Sequence, residues 1–147
     1  MNKFLENLAK NPMLLIIWVV IFIVSIWGFY LLVKFIKEKI EDYNSTSGYK
    51  VEENNLSYTT SEYKAMADQL FNAMDGLGTD DTVIYDVLNR LNNIDDWNYL
   101  VKMYGTRSNT SWVSSFSGIL TTWLRDELDD SEVKKVNNIL SKMGVTI

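Results

Sequence analysis

The stretch MDGLGTDD, residues 74–81, is the part of the sequence whose residue types most resemble a ligand-binding loop. It places two of the chain's seven glycines two residues apart and follows them with a hydroxyl and two carboxylates. Glycine tolerates positive φ angles and close approach of the backbone, so such a loop can present backbone atoms to a ligand. Three uses are open to it: a phosphate cradle, a metal loop, or a plain turn between two helices.

Neither a nucleotide loop nor an EF-hand accounts for this stretch. A Walker loop ends in Gly-Lys-Ser or Gly-Lys-Thr, and a dinucleotide fingerprint needs a preceding strand and a third glycine. An EF-hand that began at Asp75 would need oxygen ligands at its third and fifth positions and glycine at its sixth. The chain has Leu77, Thr79 and Asp80 at those positions. What remains is a connection between two helices, with or without a bound ion.

Helical periodicity on both sides of the stretch predicts an all-α domain of five short helices. Thr59 and Glu62 form a capping-box pattern for the first helix, which ends at the glycine stretch. Thr79 is the predicted N-cap of the second helix, and Asn93 opens the third, which Gly105 stops. The apolar stripes of the fourth and fifth helices are Phe116, Ile119, Leu120, Trp123 and Leu124, and Val133, Val136, Ile139 and Leu140.

A long apolar run precedes this domain. Residues 13–33 carry no charge, and at about 1.5 Å per residue they would extend roughly 31 Å, close to the hydrocarbon thickness of a bilayer. A cleaved signal peptide would have a shorter apolar region and small residues at a cleavage site, so we predict a single transmembrane helix. The predicted organisation is a tail, transmembrane helix and amphipathic extension over residues 1–43, a polar linker over 44–59 and the helical domain over 60–147. Lysines on the two sides of the run are nearly balanced, so either membrane topology stays open.

The charge balance and the missing residue types narrow the function classes. Residues 50–147 hold nine basic and fifteen acidic side chains. Nucleic acid and anionic lipid bind basic patches, so a cation or a basic partner fits this domain better, and no small-molecule substrate is evident. The chain has no histidine and no cysteine, which excludes most nucleophilic and general-base machinery, and we predict that it is not an enzyme. A wall-cutting enzyme that acts through Glu62, Glu127 or Glu132 is the enzymatic alternative.

Two segments resemble an annexin repeat. The segment MDGLGTDDTVIYDVLNRLNN resembles its first two helices, whose signature is Gly-x-Gly-Thr-Asp before an amphipathic helix, and WLRDELDDSEVKKVNNIL is similar to the end of its fourth helix and its fifth helix. The resemblance covers about residues 60–143, and compact modules of this type look similar to proteins of Bacteroidetes bacteria and their phages. In the family, calcium is held by carbonyls of the glycine loop and a carboxylate at the end of the fourth helix. The resemblance therefore implies calcium as the cofactor, with the carbonyls of Met74, Gly76 and Gly78 and the side chain of Glu127 as metal ligands.

Three departures from the annexin pattern bear on this site. Asp75 stands where a basic residue is usual, and Glu127 lies further from Thr79 in the sequence than the family spacing. Annexins also use several repeats to reach membranes, whereas this chain has one repeat and a predicted permanent anchor. The alternative without an ion is a tight turn.

The combined expectation is a single-pass, membrane-anchored structural or interaction protein with a five-helix annexin-like bundle. In a phage it would be a membrane-associated virion component, and in a bacterium an envelope protein. Its partners would be the lipid bilayer and either another protein or a second copy of the chain. Calcium-dependent binding of lipid headgroups or a partner is the first alternative, and a lytic enzyme is the second. Trp97, Phe116 and Trp123 fall on apolar stripes and are predicted core residues, whereas Tyr99 and Trp112 would favour a protein contact if exposed.

Overall fold

The protein is mainly helical in the residues that the computed structural model describes, which are 12–76, 78–109 and 116–147. Contacts divide the chain after Ile40 into an N-terminal unit and a larger unit that runs from Glu41 to Ile147. The all-α class predicted from periodicity is therefore confirmed.

The N-terminal unit is formed by helix α1, Pro12–Thr46, whose last turns belong to the second unit. The most apolar stretch of α1 has a mean hydropathy of 2.7, and none of that stretch is buried within the structure. A helix of this length and composition is able to cross a bilayer. The helical extension predicted beyond the apolar run is present, since α1 continues to Thr46.

In its described residues the second unit contains five complete helices, the number predicted. They are α2 (Thr60–Met74), α3 (Asp81–Arg90), α4 (Ile94–Tyr104), α5 (Leu120–Glu127) and α6 (Asp130–Leu140). Short 3-10 turns, Glu53–Asn55 and Ser141–Met143, precede α2 and follow α6.

A small antiparallel ladder connects α4 to α5, which periodicity did not predict. Strand β1 (Arg107–Ser108) pairs with β2 (Ser117–Gly118). Helix α5 therefore begins only at Leu120, and Phe116, assigned from sequence to the stripe of the fourth helix, precedes it. The Phe116 ring still packs edge-on against Trp123, with 5.0 Å between centroids. Its contribution to the core is as expected, although its secondary structure is not.

Local capping patterns predicted several helix ends correctly. Thr59 and Glu62 form a reciprocal capping box at the start of α2. The Asn93 side chain caps α4, and Gly105 ends that helix with a φ of 60°. These ends depend on side chains within three residues of the helix, so the sequence contains the whole arrangement.

The predicted N-cap of α3 is wrong by one residue. The side chain of Asp80, not of Thr79, accepts a hydrogen bond from the Val83 N–H, at 3.2 Å. Both residue types are good caps. The Thr79 hydroxyl contacts Glu127.

The core of the second unit lies around α2, which packs against both α3 and α4, while α6 packs against α3. Trp97 and Trp123 are fully buried, as predicted. Burial of a large apolar side chain contributes about 1.5–3 kcal/mol, so this cluster is the main source of stability. Other fully buried side chains are Tyr63, Met66, Leu70, Met74, Ile84, Leu88, Leu91, Leu100, Leu120 and Leu124.

Candidate functional site

The connection between α2 and α3 is a closed turn that contains the two glycines. The N–H of Asp80 donates to the carbonyl of Ala73, at 2.9 Å, which brings the two ends of the connection together. Gly78 has a φ of 95°, a conformation that side chains with a Cβ disfavour. Leu77 lies outside the described residues. The prediction that a glycine permits a positive φ in this turn is confirmed for Gly78.

The three predicted carbonyl ligands lie in this turn. No hydrogen bond between described residues outside the helices uses the carbonyls of Met74, Gly76 or Gly78. The last carbonyls of a helix have no partner within it, so the end of α2 is a natural place for backbone oxygens to meet a cation or water.

Glu127, the predicted carboxylate ligand, lies beside the turn. The Thr79 hydroxyl is 3.1 Å from Glu127 Oε2 and 3.4 Å from the Glu127 carbonyl oxygen. Tertiary packing thus brings into contact two residues that are 48 positions apart in the sequence, a spacing longer than that of the annexin pattern. A carboxylate has about four acceptor positions, so one hydroxyl donor leaves capacity for a further donor or a cation.

A buried tyrosine places Asp75 in the same neighbourhood. The Tyr104 hydroxyl is buried and has no hydrogen-bond partner in the described part of the chain. Burial raises the pKa of Tyr104; the Arg107 guanidinium opposes the rise, and the carboxylates of Asp75 and Glu127 add to it. The charges of both acids therefore act on one buried hydroxyl. The predicted metal ligands in and beside the turn are all oxygen atoms, which suit a hard cation such as Ca²⁺. Among the described residues, however, no group of three or more Asp or Glu side chains is arranged to hold a metal.

A second carboxylate centre, which the sequence did not single out, lies at the start of α4. Asp96 is completely buried. It accepts hydrogen bonds from the Tyr63 hydroxyl (2.6 Å), the Ser57 N–H (2.9 Å) and the Asn92 N–H (2.8 Å). Burial alone would raise the pKa of Asp96, but the hydrogen bonds from Tyr63, Asn92 and Ser57 outweigh it and hold the pKa below its ordinary value. Asp96 is therefore a buried, charged carboxylate that three hydrogen-bond donors surround.

The neighbouring Asp95 binds the segment that precedes α2. Its Oδ1 accepts from the Glu52 N–H and its Oδ2 from the Asn55 side-chain amide, both at 2.9 Å. Residues 44–59 were predicted to be a polar linker. In the structure the residues of this segment from Tyr49 to Tyr58, here named the strap, lie against the helical bundle. The segment is therefore part of the second unit and not a free spacer.

The sequence carried only a faint signal of the strap. Nothing in the sequence near Asp95 and Asp96 identifies a partner about 40 residues earlier. The clue lay in the strap itself, where Tyr49, Leu56 and Tyr58 interrupt a polar run. All three pack against the core.

Two of the three glutamates weighed as catalytic groups have capping roles. Glu62 accepts from the Thr59 N–H at 2.8 Å, and Glu132 accepts from the Asp129 N–H at 2.9 Å. The hydrogen bonds from Thr59 lower the pKa of Glu62, whereas a general acid needs a raised pKa. The geometry of these two residues therefore gives no support to acid catalysis.

Tyr99 does not present a free ring. It is half-buried, lies edge-on to Tyr63 with 4.9 Å between centroids, and its hydroxyl is 3.1 Å from Thr60 Oγ1. Trp112, the other aromatic residue weighed as a contact, lies outside the described residues. The described aromatic residues of the bundle are thus used mainly for internal packing.

Comparison of the chain with protein-family models, curated proteins and solved structures found no match. The annexin resemblance therefore stays a prediction from the sequence motifs.

Proposed function

We propose that the chain is a single-pass, membrane-anchored structural or interaction protein that displays an acidic helical domain at a bilayer surface. The observation that carries this proposal is the exposure of α1. Large apolar side chains from Met13 to Ile40 are exposed around the whole helix. Apolar surface in water costs about 25 cal/mol per Å², so a hydrocarbon environment is the natural one for this helix.

The second unit has the surface of a domain that stands in water. Residues 41–147 hold nine basic and seventeen acidic side chains, a formal charge of −8. Among the described residues of this unit, the exposed large apolar side chains are Tyr43, in the last turns of α1, and Ile94. A partner would therefore be recognised through charge and hydrogen bonds, and a basic protein surface fits best. In a phage this would make the chain a virion membrane component, and in a bacterium an envelope protein.

Membrane extraction tests the anchor. The full chain should stay in the membrane pellet after alkaline carbonate treatment, dissolve only in detergent, and keep its full mass of 17.0 kDa. Replacing Ile21 and Val24 by lysine should release it, because a charge at the centre of a span costs about 2.5–3.5 kcal/mol. The matched control carries two lysines on the exposed surface of α3, at Thr82 and Asn89. Release of the unaltered chain by carbonate, or a shorter chain cleaved after the apolar run, would refute the anchor.

The contact between Thr79 and Glu127 favours a second candidate function. We propose that the α2–α3 turn is able to bind calcium and thereby bridge the domain to lipid headgroups or to acids of a partner. The carbonyls of Met74, Gly76 and Gly78 and the Glu127 carboxylate would hold the ion, with water completing six to eight oxygens. The position of Glu127 beside Thr79 supports this use of the turn.

Titration of the detergent-solubilised full chain with calcium tests this candidate. Binding should give heat and should raise the melting temperature, since a ligand that binds only the folded state stabilises it. Glu127→Gln should abolish both signals. Asp126→Asn is the matched control, because it removes one charge from the adjacent exposed position. No heat and no shift of the melting temperature in the unaltered chain would leave the turn purely structural.

A further inference from the structure

The strap, Tyr49–Tyr58, is held in a different way from the helices around it. The helices share a continuous apolar core, whereas the strap packs three partly buried side chains against it, those of Tyr49, Leu56 and Tyr58. The Tyr58 ring lies edge-on to Tyr63, at 5.7 Å between centroids. Segments with few apolar contacts open at a lower free energy than the whole domain. The contacts of the strap can therefore break while the contacts between helices persist.

The side chains of α4 and its N-cap recognise the strap mainly through its backbone. Amide groups on this face donate to two strap carbonyls, and carboxylates accept from two strap N–H groups, so the polar groups of both partners are matched. The four pairs are Asn98 Nδ2 with the Lys50 carbonyl (2.6 Å), Asn93 Nδ2 with the Asn55 carbonyl (2.9 Å), the Glu52 N–H with Asp95 (2.9 Å) and the Ser57 N–H with Asp96 (2.9 Å).

The two carboxylates divide their contacts unequally. Asp96 bonds to the strap but also to Tyr63 of α2 and to the Asn92 N–H, so it supports the bundle itself. Both side-chain contacts of Asp95 go to the strap. Asp95 is therefore the residue whose change acts on the strap alone.

We propose that the strap opens and closes on α4 as a unit, with Asp95 as its clasp, while the helical bundle stays folded. The closed strap holds its ten residues, 49–58, against the domain. An open strap leaves the Asp95 carboxylate and the side-chain amides of Asn93 and Asn98 without their strap partners. This inference does not depend on whether the α2–α3 turn binds calcium.

Hydrogen exchange followed by mass spectrometry on the full chain in detergent tests the clasp. In Asp95→Asn one acceptor oxygen becomes an amide donor, which then faces the Glu52 N–H or the Asn55 amide. We expect exchange of peptides within 49–58 to become at least about tenfold faster, with no change in α2 to α6. The matched control is Asp86→Asn, which removes the same charge from an exposed position on α3 and should leave the strap protected.

Two results would overturn the proposal. One is strap exchange in Asp95→Asn that is as slow as in the unaltered chain; the other is equal acceleration in the helices, because the strap would then not open separately. If Asp95→Asn fails to fold, the unaltered chain decides the matter. Its strap amides should exchange at a lower urea concentration than those of α2 and α4, and coincident exchange would contradict a separate opening.

Discussion

Two carboxylates, Glu127 and Asp96, each join segments that are distant in sequence, and they differ in how completely the protein surrounds them. Glu127 is half-buried, and its carboxylate accepts one hydroxyl contact, from Thr79 at 3.1 Å. Asp96 is fully buried and accepts three hydrogen bonds of 2.6–2.9 Å. A buried carboxylate keeps its charge only when donors satisfy it. The centre of Asp96 is complete and holds the structure together, whereas the centre of Glu127 keeps acceptor capacity and is the better place for a ligand.

Removal of the Asp96 charge should lower the free energy of unfolding more than any other substitution considered below. In Asp96→Asn an amide replaces one acceptor oxygen and meets a buried donor. The free energy of unfolding should fall by about 3 kcal/mol, because hydrogen bonds to a buried charge are lost and a donor is left unsatisfied. Urea denaturation of the full chain, followed by tryptophan fluorescence, measures the change.

The exposed Asp86 is again the control, and Asp86→Asn should stay within about 0.5 kcal/mol of the unaltered chain. A loss below about 1 kcal/mol for Asp96→Asn would show that the enclosed carboxylate is not the stronger of the two centres.

The contribution of Asp96 to folding stability should also disappear in acid. Its pKa in the folded chain lies below the ordinary value of 3.8, so the unfolded chain takes up the proton more readily. The stabilisation is therefore complete above the ordinary pKa and is lost as the pH falls through the folded value. The difference in urea midpoint between the unaltered chain and Asp96→Asn should narrow below about pH 4. A difference that is unchanged down to about pH 2 would contradict a charged Asp96.

Gly78→Ala should have an intermediate effect at the Glu127 centre. Gly78 has a φ of 95°, and an added Cβ would meet nothing within 4 Å, so only the backbone conformation is penalised. We expect a loss of about 1 kcal/mol in the same urea assay. Gly48→Ala is the matched control, because Gly48 has open space and no positive φ, and it should be neutral or slightly stabilising. Equal effects of the two substitutions would show that the turn is not constrained.

Thr79→Val should have the smallest effect on the free energy of unfolding. It tests most directly whether Glu127 is held less tightly than Asp96. Among the described residues it removes the one hydroxyl that contacts the Glu127 carboxylate, but water can replace that hydroxyl at a half-buried position. We expect a loss of about 0.5 kcal/mol, measured against Thr82→Val on the exposed side of α3. A loss above about 2 kcal/mol would mean that Glu127 is held as tightly as Asp96.

The locally encoded features were predicted well. The capping box of Thr59 and Glu62, the Asn93 cap and the Gly105 stop each depend on residues within one or two turns of a helix. The choice between Thr79 and Asp80 as the cap of α3 was not predictable, because the two residues are adjacent and both types are good caps. The β1–β2 ladder was missed for a related reason, since two-residue strands are too short to show alternation.

The sequence by itself determined that an apolar helix precedes an acidic, all-α unit with five helices, because hydropathy, charge and the 3.6-residue period are local properties of the chain. Only the tertiary structure decided that Glu127 reaches the glycine turn and that Asp95 and Asp96 hold the strap. A carboxylate looks the same in a sequence whether it faces water or three buried donors. Its partners come from segments about 40 to 50 residues away, and folding alone brings them within hydrogen-bond distance.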